Sequence, residues 1–239
     1  MADRIGAKHL STYPMPTPSA VATDGLVKQN LAERLLAEIM KGALRPGVRI
    51  VEGKWAQEFG VAQGSIREAI HILERDGFVT KELGRSARVV LLTEKDVIQL
   101  YELRGAIEGL AARLAAIARA DLSGLQSTVD GMRRAAVAKN SGDLLDWDLR
   151  FHLELCKIAG NPHLLEHAIR ILTPFFAFVR LRMTASGQGT SVWNKDLESH
   201  QRIIDLLREG EGDVAEQYVK RAMIRFAKTA HDNWVSHGK

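Results

Sequence analysis

The clearest pattern in the chain is a helical repeat of apolar residues between Gln63 and Arg75. One stripe, at spacings i, i+3, i+4 and i+7, is formed by Ile66, Ala69, Ile70 and Leu73. The polar residues off that stripe are Gln63, Ser65, Arg67 and His71. If its apolar face packs against the protein core, such a helix presents Gln and Arg near its N-terminus to solvent. Side chains placed in this way can contact base edges in a DNA major groove. An ordinary amphipathic surface helix shows the same pattern. The flanking segments must therefore distinguish a DNA-recognition helix from an ordinary surface helix.

The flanks favour a winged helix-turn-helix. Helical periodicity begins near Val27 and stops at a turn over 42–47, and Ile50–Val51 reads as a brief strand. A short helix over 52–59 then ends at Gly60, which suits the left-handed position after a helix. Downstream, strand patterns at 78–82 and 87–92 are joined by a turn over 83–86. A hairpin with a basic tip directly after a recognition-type helix predicts the winged form of the motif.

The remainder of the chain predicts a helical bundle. Thr93 and Asp96 form a capping-box pattern, and no convincing strand pattern follows. Glycine and proline breaks divide the segment into six helices, at about 94–118, 121–139, 142–159, 162–184, 194–209 and 212–231. The predicted fold is therefore mainly α, with an N-terminal winged helix-turn-helix followed by an all-α antiparallel helical bundle.

Three segments follow from these patterns. The spaced prolines of residues 1–24 predict a flexible tail. Residues 25–93 are expected to form the winged helix-turn-helix DNA-binding domain, and residues 94–235 an all-helical domain.

Composition narrows the setting of the protein. The chain has 239 residues, of which 46% are apolar and 26% charged, as in globular proteins. No apolar run approaches the ~18 residues of a membrane span, and the start of the chain lacks a secretory pattern, so we expect a cytoplasmic protein. The single cysteine, Cys156, excludes an internal disulfide framework and is expected to be buried. The net charge of +4 is compatible with phosphate contact without proving it.

One pair of residues suggests metal chemistry. Asp148 and His152 are four residues apart and so share one face of a predicted helix. A carboxylate and an imidazole on one face are suitable ligands for a divalent transition metal. The ordinary interpretation of such a pair is a surface hydrogen bond, so the spacing alone does not predict a metal site.

Taken in order, these motifs resemble the GntR family of bacterial transcription regulators. The N-terminal resemblance rests on residues 31–39, 42–50, 60–61, 66–70, 73–77 and 84–85. The C-terminal half resembles the FCD effector domain of the FadR-type branch, through residues 100–108, 148–152, 159–162 and 198–200. Six helices suit the VanR-like variety of that domain. The resemblance covers roughly residues 26–231.

The resemblance implies a homodimeric, ligand-responsive regulator that binds a palindromic operator and usually represses. It also implies a small organic acid as effector, and it assigns effector binding and dimerisation to the helical domain over residues 94–235. The residues expected at DNA are Lys54, Gln63, Gly64, Ser65, Arg67, His71, Gly84 and Arg85.

Two departures from the family pattern bear on the recognition helix. Ala62 stands where the family has a hydroxyl cap, a loss of about 1 kcal/mol unless Ser65 with Glu68 caps one turn later. Gln63 stands where Arg is common, which predicts a preference for adenine instead of guanine.

In the effector domain the resemblance implies a metal site. Asp148, His152 and His200 fill three of the four family ligand positions, while Ala222 stands near the fourth. Zinc, nickel or manganese held by three residues is one reading, and a metal-free polar pocket is the other. Arg104 matches the family arginine that grips an acid, and a salt bridge with Glu108 is its alternative role. Arg150 and Asn194 are further effector-binding candidates.

Two other classes of function are compatible with parts of the sequence. A metal-dependent hydrolase could use Asp148, His152 and His200, but it lacks an evident general base and leaves the winged helix unexplained. A helical adaptor could use its winged helix to contact protein. We therefore expect a regulator and not an enzyme.

Overall fold

The computed structural model describes residues 23–81, 86–186 and 193–237, with side chains described for 29–81, 86–183 and 197–229. The predicted tail thus lies outside the described residues, except Thr23 and Asp24, which begin the first helix. The elements in chain order are α1 (Thr23–Met40), α2 (Glu52–Phe59), α3 (Gln63–Arg75), β1 (Val79–Thr80), β2 (Arg88–Val89), α4 (Glu94–Ile117), α5 (Ser123–Val137), α6 (Ser141–Ile158), α7 (Pro162–Ser186), α8 (Trp193–Glu209) and α9 (Gly212–His237).

The three N-terminal helices pack their apolar faces against one another, in a hydrophobic cluster that continues into the bundle. The predicted stripe of α3 is fully buried, from Ile66 to Leu73. It packs against α1, whose Leu31, Leu35 and Ile39 are also buried. Burying one face in this way fixes the helix and leaves its opposite face to solvent.

In the turn between α2 and α3, Gly60 has the predicted backbone conformation, but the predicted alternative cap of α3 is absent among the described residues. Gly60 adopts φ 67°, in the left-handed region, and ends α2 as expected. The helix α3 begins at Gln63 after Ala62, and no side chain of the described residues caps it. The alternative cap by Ser65 was wrong, because the Ser65 amide donates to the Ala62 carbonyl within the first helical turn.

The wing is shorter than the sequence pattern suggested. β1 and β2 have two residues each and pair antiparallel, with Val79 opposite Val89. The brief strand expected at Ile50–Val51 is a single bridge between Arg49 and Arg88. The turn that joins the strands, with Gly84 and Arg85, lies outside the described residues.

The described part of the C-terminal half contains six helices, as predicted. Thr93 and Asp96 form the full capping box at the start of α4. The helices α4 and α9 run antiparallel: a Cβ at Gly105 would lie 3.4 Å from Met223, and one at Gly109 would lie 3.3 Å from Glu216. Glycines at these positions let the two helices approach closely. Within the described ranges, no helix is both long and apolar enough to cross a membrane.

The DNA-binding part packs directly on the bundle. Gly77, two residues beyond α3, has φ 78° and lies against the backbone of α7 at Thr173–Pro174. A Cβ at Gly77 would lie 2.7 Å from Pro174 backbone atoms, so this contact requires glycine. The segment directly after α3 and the middle of α7 are therefore in direct contact.

Candidate nucleic-acid interface and metal site

The exposed face of α3 carries the residues that the sequence pattern singled out. Gln63, Gly64, Arg67 and His71 are exposed, and Ser65 is half-buried. Lys54, on α2, is exposed beside the ring of Trp55. None of these residues belongs to the core, so the surface is open to an external partner.

Glu52, at the start of α2, holds two of these side chains together. The Arg67 guanidinium donates to its carboxylate at 2.9 Å, and the Gln63 amide donates at 3.2 Å. The hydrogen bond from Arg67 is the main cause of the lowered pKa of Glu52. Sequence reasoning did not identify Glu52, because the contact joins residues 11 and 15 positions apart on two helices. In the absence of a partner, Gln63 and Arg67 are therefore both directed toward Glu52.

Two further basic residues lie on the same surface. Arg49 and Lys81 line an open polar depression of about 390 Å³ together with Glu52, Gln63 and Ser86. The depression separates the start of α3 from the wing. Arg49 and Lys81 were not among the sequence candidates, and their position beside the strands was the signal that could have identified them. Arg49 and Lys81 therefore add two positive charges beside the start of α3.

Inside the bundle, three candidate ligands converge. Asp148 and His152 lie on α6, and His200 on α8. The Oδ1 atom of Asp148 is 3.2 Å from Nε2 of His152 and 3.0 Å from Nε2 of His200, and the two Nε2 atoms are 3.5 Å apart. Bonds of about 2.0–2.2 Å to a shared ion place neighbouring ligand atoms about 3.0–3.5 Å apart. The three residues therefore fit a divalent transition metal.

A buried carboxylate, that of Glu108, contacts the His152 ring on its Nδ1 side, away from Asp148 and His200. Glu108, on α4, lies 2.5 Å from Nδ1 of His152 and accepts a hydrogen bond of 2.8 Å from Nε of Arg104. Arg104 and Glu108 are 4% and 1% exposed, so their charges are compensated almost entirely by protein groups. A carboxylate on Nδ1 directs the Nε2 lone pair of the histidine toward a metal, as in many metal sites.

Electrostatics within the cluster follow from burial and these contacts. Burial alone would raise the pKa of Glu108, but Arg104 and His152 outweigh it and lower that pKa to about 2. Burial would lower the pKa of His152, but Glu108 and Asp148 outweigh it, and the net direction is upward. The pKa of Asp148 is also lowered, because its close contacts with both histidines outweigh the upward effect of burial. The cluster therefore holds two carboxylates in their charged form.

These residues line a cavity of about 110 Å³ in the bundle. Its walls include the aromatic rings of Tyr101, Phe175, Phe176 and Phe226. Ala222, at the position expected for the fourth family ligand, is buried and forms part of the wall. Cys156 is buried, as expected, and Phe178 is buried as well.

The remaining effector candidates have different surroundings. Arg104 lines the cavity and also forms the salt bridge with Glu108 that was its alternative role. The Arg150 guanidinium lies over the Trp147 ring at 4.7 Å, and Arg150 is not among the described lining residues. The Asn194 side chain lies outside the described residues.

A winged helix with an exposed Gln–Arg face, joined to a helical bundle, defines a class of DNA-binding transcription regulators. The chain belongs to the GntR family of bacterial regulatory proteins, whose model matches residues 27–89, and it carries an FCD domain over residues 99–225. Both ranges fall inside the predicted segments 25–93 and 94–235, whose boundaries stay predictions.

Relatives support the same conclusion. The chain is 30% identical over 186 residues to the "Uncharacterized HTH-type transcriptional regulator YdhC" of Bacillus subtilis, covering 76% of this chain and 80% of the relative. It is 26% identical over 232 residues to the "Probable D-xylose utilization operon transcriptional repressor" of Paenarthrobacter nicotinovorans, covering 92% and 96%. A solved GntR regulator from Rhodococcus sp. RHA1 has the same fold, with a TM-score of 0.65, 22% identity and coverage of 86% and 97%.

Proposed function

We propose that the protein is a homodimeric repressor in the cytoplasm, which binds a palindromic operator and releases it when a small carboxylate occupies the bundle cavity. The observation that carries the proposal is α3, whose apolar stripe is buried while Gln63 and Arg67 face solvent. The name of the Paenarthrobacter relative, a probable operon repressor, supports the direction of regulation. The protein is proposed to regulate transcription and to catalyse no reaction.

Operator contacts are assigned by position and chemistry. Gln63 reads a base edge, with Gly64 and Ser65 allowing close approach of the first turn of α3. Arg67 and His71 contact phosphate or a guanine edge, and Lys54 contacts phosphate. Gly84 and Arg85, outside the described residues, stay proposed for the wing. Arg49 and Lys81 are added to this set because they line the depression beside α3.

Arg67→Ala is expected to weaken operator binding by about 1–3 kcal/mol and, if Arg67 meets phosphate, to reduce the salt slope by about one ion. The change removes the guanidinium that Glu52 now positions. Arg133→Ala is the matched control, since Arg133 is an ion-paired and similarly exposed arginine on α5. Affinity is measured by fluorescence anisotropy over a series of salt concentrations. Equal affinities and salt slopes for wild type and Arg67→Ala would reject this contact.

The bundle cavity is proposed as the effector site. Asp148, His152 and His200 would hold zinc, nickel or manganese, which acts as a Lewis acid toward an organic acid. Ala222 offers no ligand atom, so a carboxylate of the effector has room on that side of the cluster. Arg104 donates to Glu108 through Nε, and its other guanidinium N–H groups are the proposed donors to the anionic ligand.

An exposed apolar stripe supports the homodimer. Leu103, Leu110 and Ile117 recur at seven-residue spacing on the outer face of α4, and their exposed fractions are 43%, 39% and 65%. Ile224, on the neighbouring helix α9, is 66% exposed. Apolar side chains aligned in this way commonly mark a contact between subunits.

Leu110→Glu is expected to convert the dimer to a monomer, because it places a charge in the middle of this stripe. Val137→Glu is the control, since Val137 is 86% exposed at the end of α5 and away from the stripe. Analytical ultracentrifugation gives the mass of each variant. A dimeric Leu110→Glu variant with unchanged dissociation constant would show that the subunits meet elsewhere.

Coupling between the two sites requires only two arrangements of the dimer. An effector that binds one arrangement of the dimer more tightly than the other shifts the population toward the tighter-binding arrangement. The size of the shift is set by the ratio of its two affinities. Recognition helices whose separation no longer matches one turn of DNA lose the second half-site.

A further inference from the structure

A second cavity lies between the DNA-binding part and the bundle. Its volume is about 260 Å³, larger than the cavity lined by Asp148, His152 and His200. The N-terminal part contributes Leu36 and Phe78, and the bundle contributes Leu149, Leu153, Ile169 and Ala177. Two ion pairs also belong to its lining, Arg75 with Asp76 at 3.1 Å and Arg180 with Asp146 at 2.9 Å.

This interdomain cavity is distinct from the bundle cavity lined by Asp148, His152 and His200, which is the proposed effector site and is called the effector cavity below. Among the described lining residues, only Leu145 and Phe176 belong to both. The candidate metal ligands and Arg104 line the effector cavity alone. The two spaces are therefore neighbours with a shared wall, and one can be altered without changing the ligands of the other.

The lining indicates the chemistry of an occupant. A dry apolar cavity of about 150 Å³ holds benzene, so 260 Å³ has room for about nine to twelve non-hydrogen atoms. The aliphatic and aromatic side chains suit a hydrocarbon body. Arg75 is half-exposed and pairs with its sequence neighbour Asp76, a weak surface contact that an anionic ligand can replace at small cost.

We propose that the interdomain cavity is a second ligand site, which binds a compact aromatic or branched aliphatic acid through its apolar lining and Arg75. Such a ligand contacts the end of α3 and the helices α6 and α7 together. It lies close to the contact between Gly77 and Pro174, since Asp76 and Thr173, their sequence neighbours, are in its lining. A ligand in the interdomain cavity therefore changes how the recognition helix packs against the bundle. This effect does not depend on Asp148, His152 and His200.

The test uses 3-phenylpropionate as the probe, titrated calorimetrically into the full chain in the presence of EDTA. Binding is expected in wild type and in His200→Ala, because neither metal nor His200 belongs to this site. Ala177→Phe, which fills the cavity from α7, is expected to weaken binding at least about tenfold. Arg75→Ala, at an exposed position that leaves the core intact, is expected to weaken it about fivefold.

Each opposite result overturns the proposal. Absence of heat from wild type at millimolar probe excludes the site for this class of ligand. Binding that is lost in His200→Ala and kept in Arg75→Ala places the probe in the effector cavity instead. If Ala177→Phe fails to fold, Arg75→Ala decides alone: unchanged affinity in that variant excludes Arg75 and with it the proposed site. Failure here leaves metal binding by Asp148, His152 and His200 intact, so the two proposals fail separately.

Discussion

Replacing Glu108 with alanine is expected to lower the free energy of unfolding by about 3–5 kcal/mol, among the largest effects of any single substitution in the bundle. The reason is the environment of its partners. Arg104 is 4% exposed and donates to Glu108 at 2.8 Å, while His152 contacts the other carboxylate oxygen. Removal of the carboxylate leaves a buried guanidinium without its main compensating charge.

Glu108→Gln separates stability from metal binding. A glutamine has one acceptor oxygen for the two donors that now share the carboxylate, Arg104 Nε and His152 Nδ1. If the amide donates to Nδ1, the histidine carries its proton on Nε2, the atom needed for a metal. We expect metal affinity to fall about 10–100-fold.

The measurements are urea unfolding of the metal-free protein and titration with Zn²⁺. Glu102→Ala is the control, since Glu102 is an exposed glutamate on the same helix, and its change in stability should stay within about 0.5 kcal/mol. A Glu108→Ala variant as stable as this control would contradict the buried network. Unchanged zinc affinity in Glu108→Gln would contradict the role of Glu108 in orienting His152.

Gly77→Ala is expected to cost about 2–5 kcal/mol in stability, from two sources that add. A φ of 78° disfavours any residue with a Cβ, and that Cβ would meet the α7 backbone at 2.7 Å. Backbone atoms of a packed helix cannot move aside as a flexible side chain can. The same change is expected to alter operator affinity, because it separates the end of α3 from the bundle.

Gly60→Ala provides a matched control for backbone conformation. Gly60 has φ 67°, but a Cβ there has no heavy atom within 4 Å among the described neighbours. It is expected to cost only about 1–2 kcal/mol. The difference between the two variants in thermal or urea unfolding measures the contact with α7. Equal losses in Gly77→Ala and Gly60→Ala would show that Gly77 and Pro174 do not constrain each other.

Local pattern was sufficient to predict the helices. Apolar periodicity and the Thr93–Asp96 box gave the start of α4, and breaks such as 160–162 and 210–212 separated the later helices. These signals act over three or four residues, so they do not depend on the rest of the fold. The wing strands were predicted too long, because the composition of a segment does not determine how many of its residues pair with another strand.

Contacts between distant elements could not be predicted in the same way. Periodicity does not reveal that Glu108 of α4 meets His152 of α6, or that Gly77 meets Pro174. Glu52, which positions Gln63 and Arg67, was missed for the same reason. The family resemblance supplied His200 as a partner for Asp148 and His152, which spacing alone did not.

The central claim, that α3 reads the operator, is tested most directly by selecting preferred half-sites from a random DNA library with wild type and Gln63→Arg. Gln63 is exposed in the first turn of α3, where glutamine favours adenine and arginine favours guanine. The account predicts that wild type selects adenine at one symmetric position of each half-site, and that Gln63→Arg changes this base to guanine while the flanking bases stay the same. Identical selected sequences for the two proteins would contradict it.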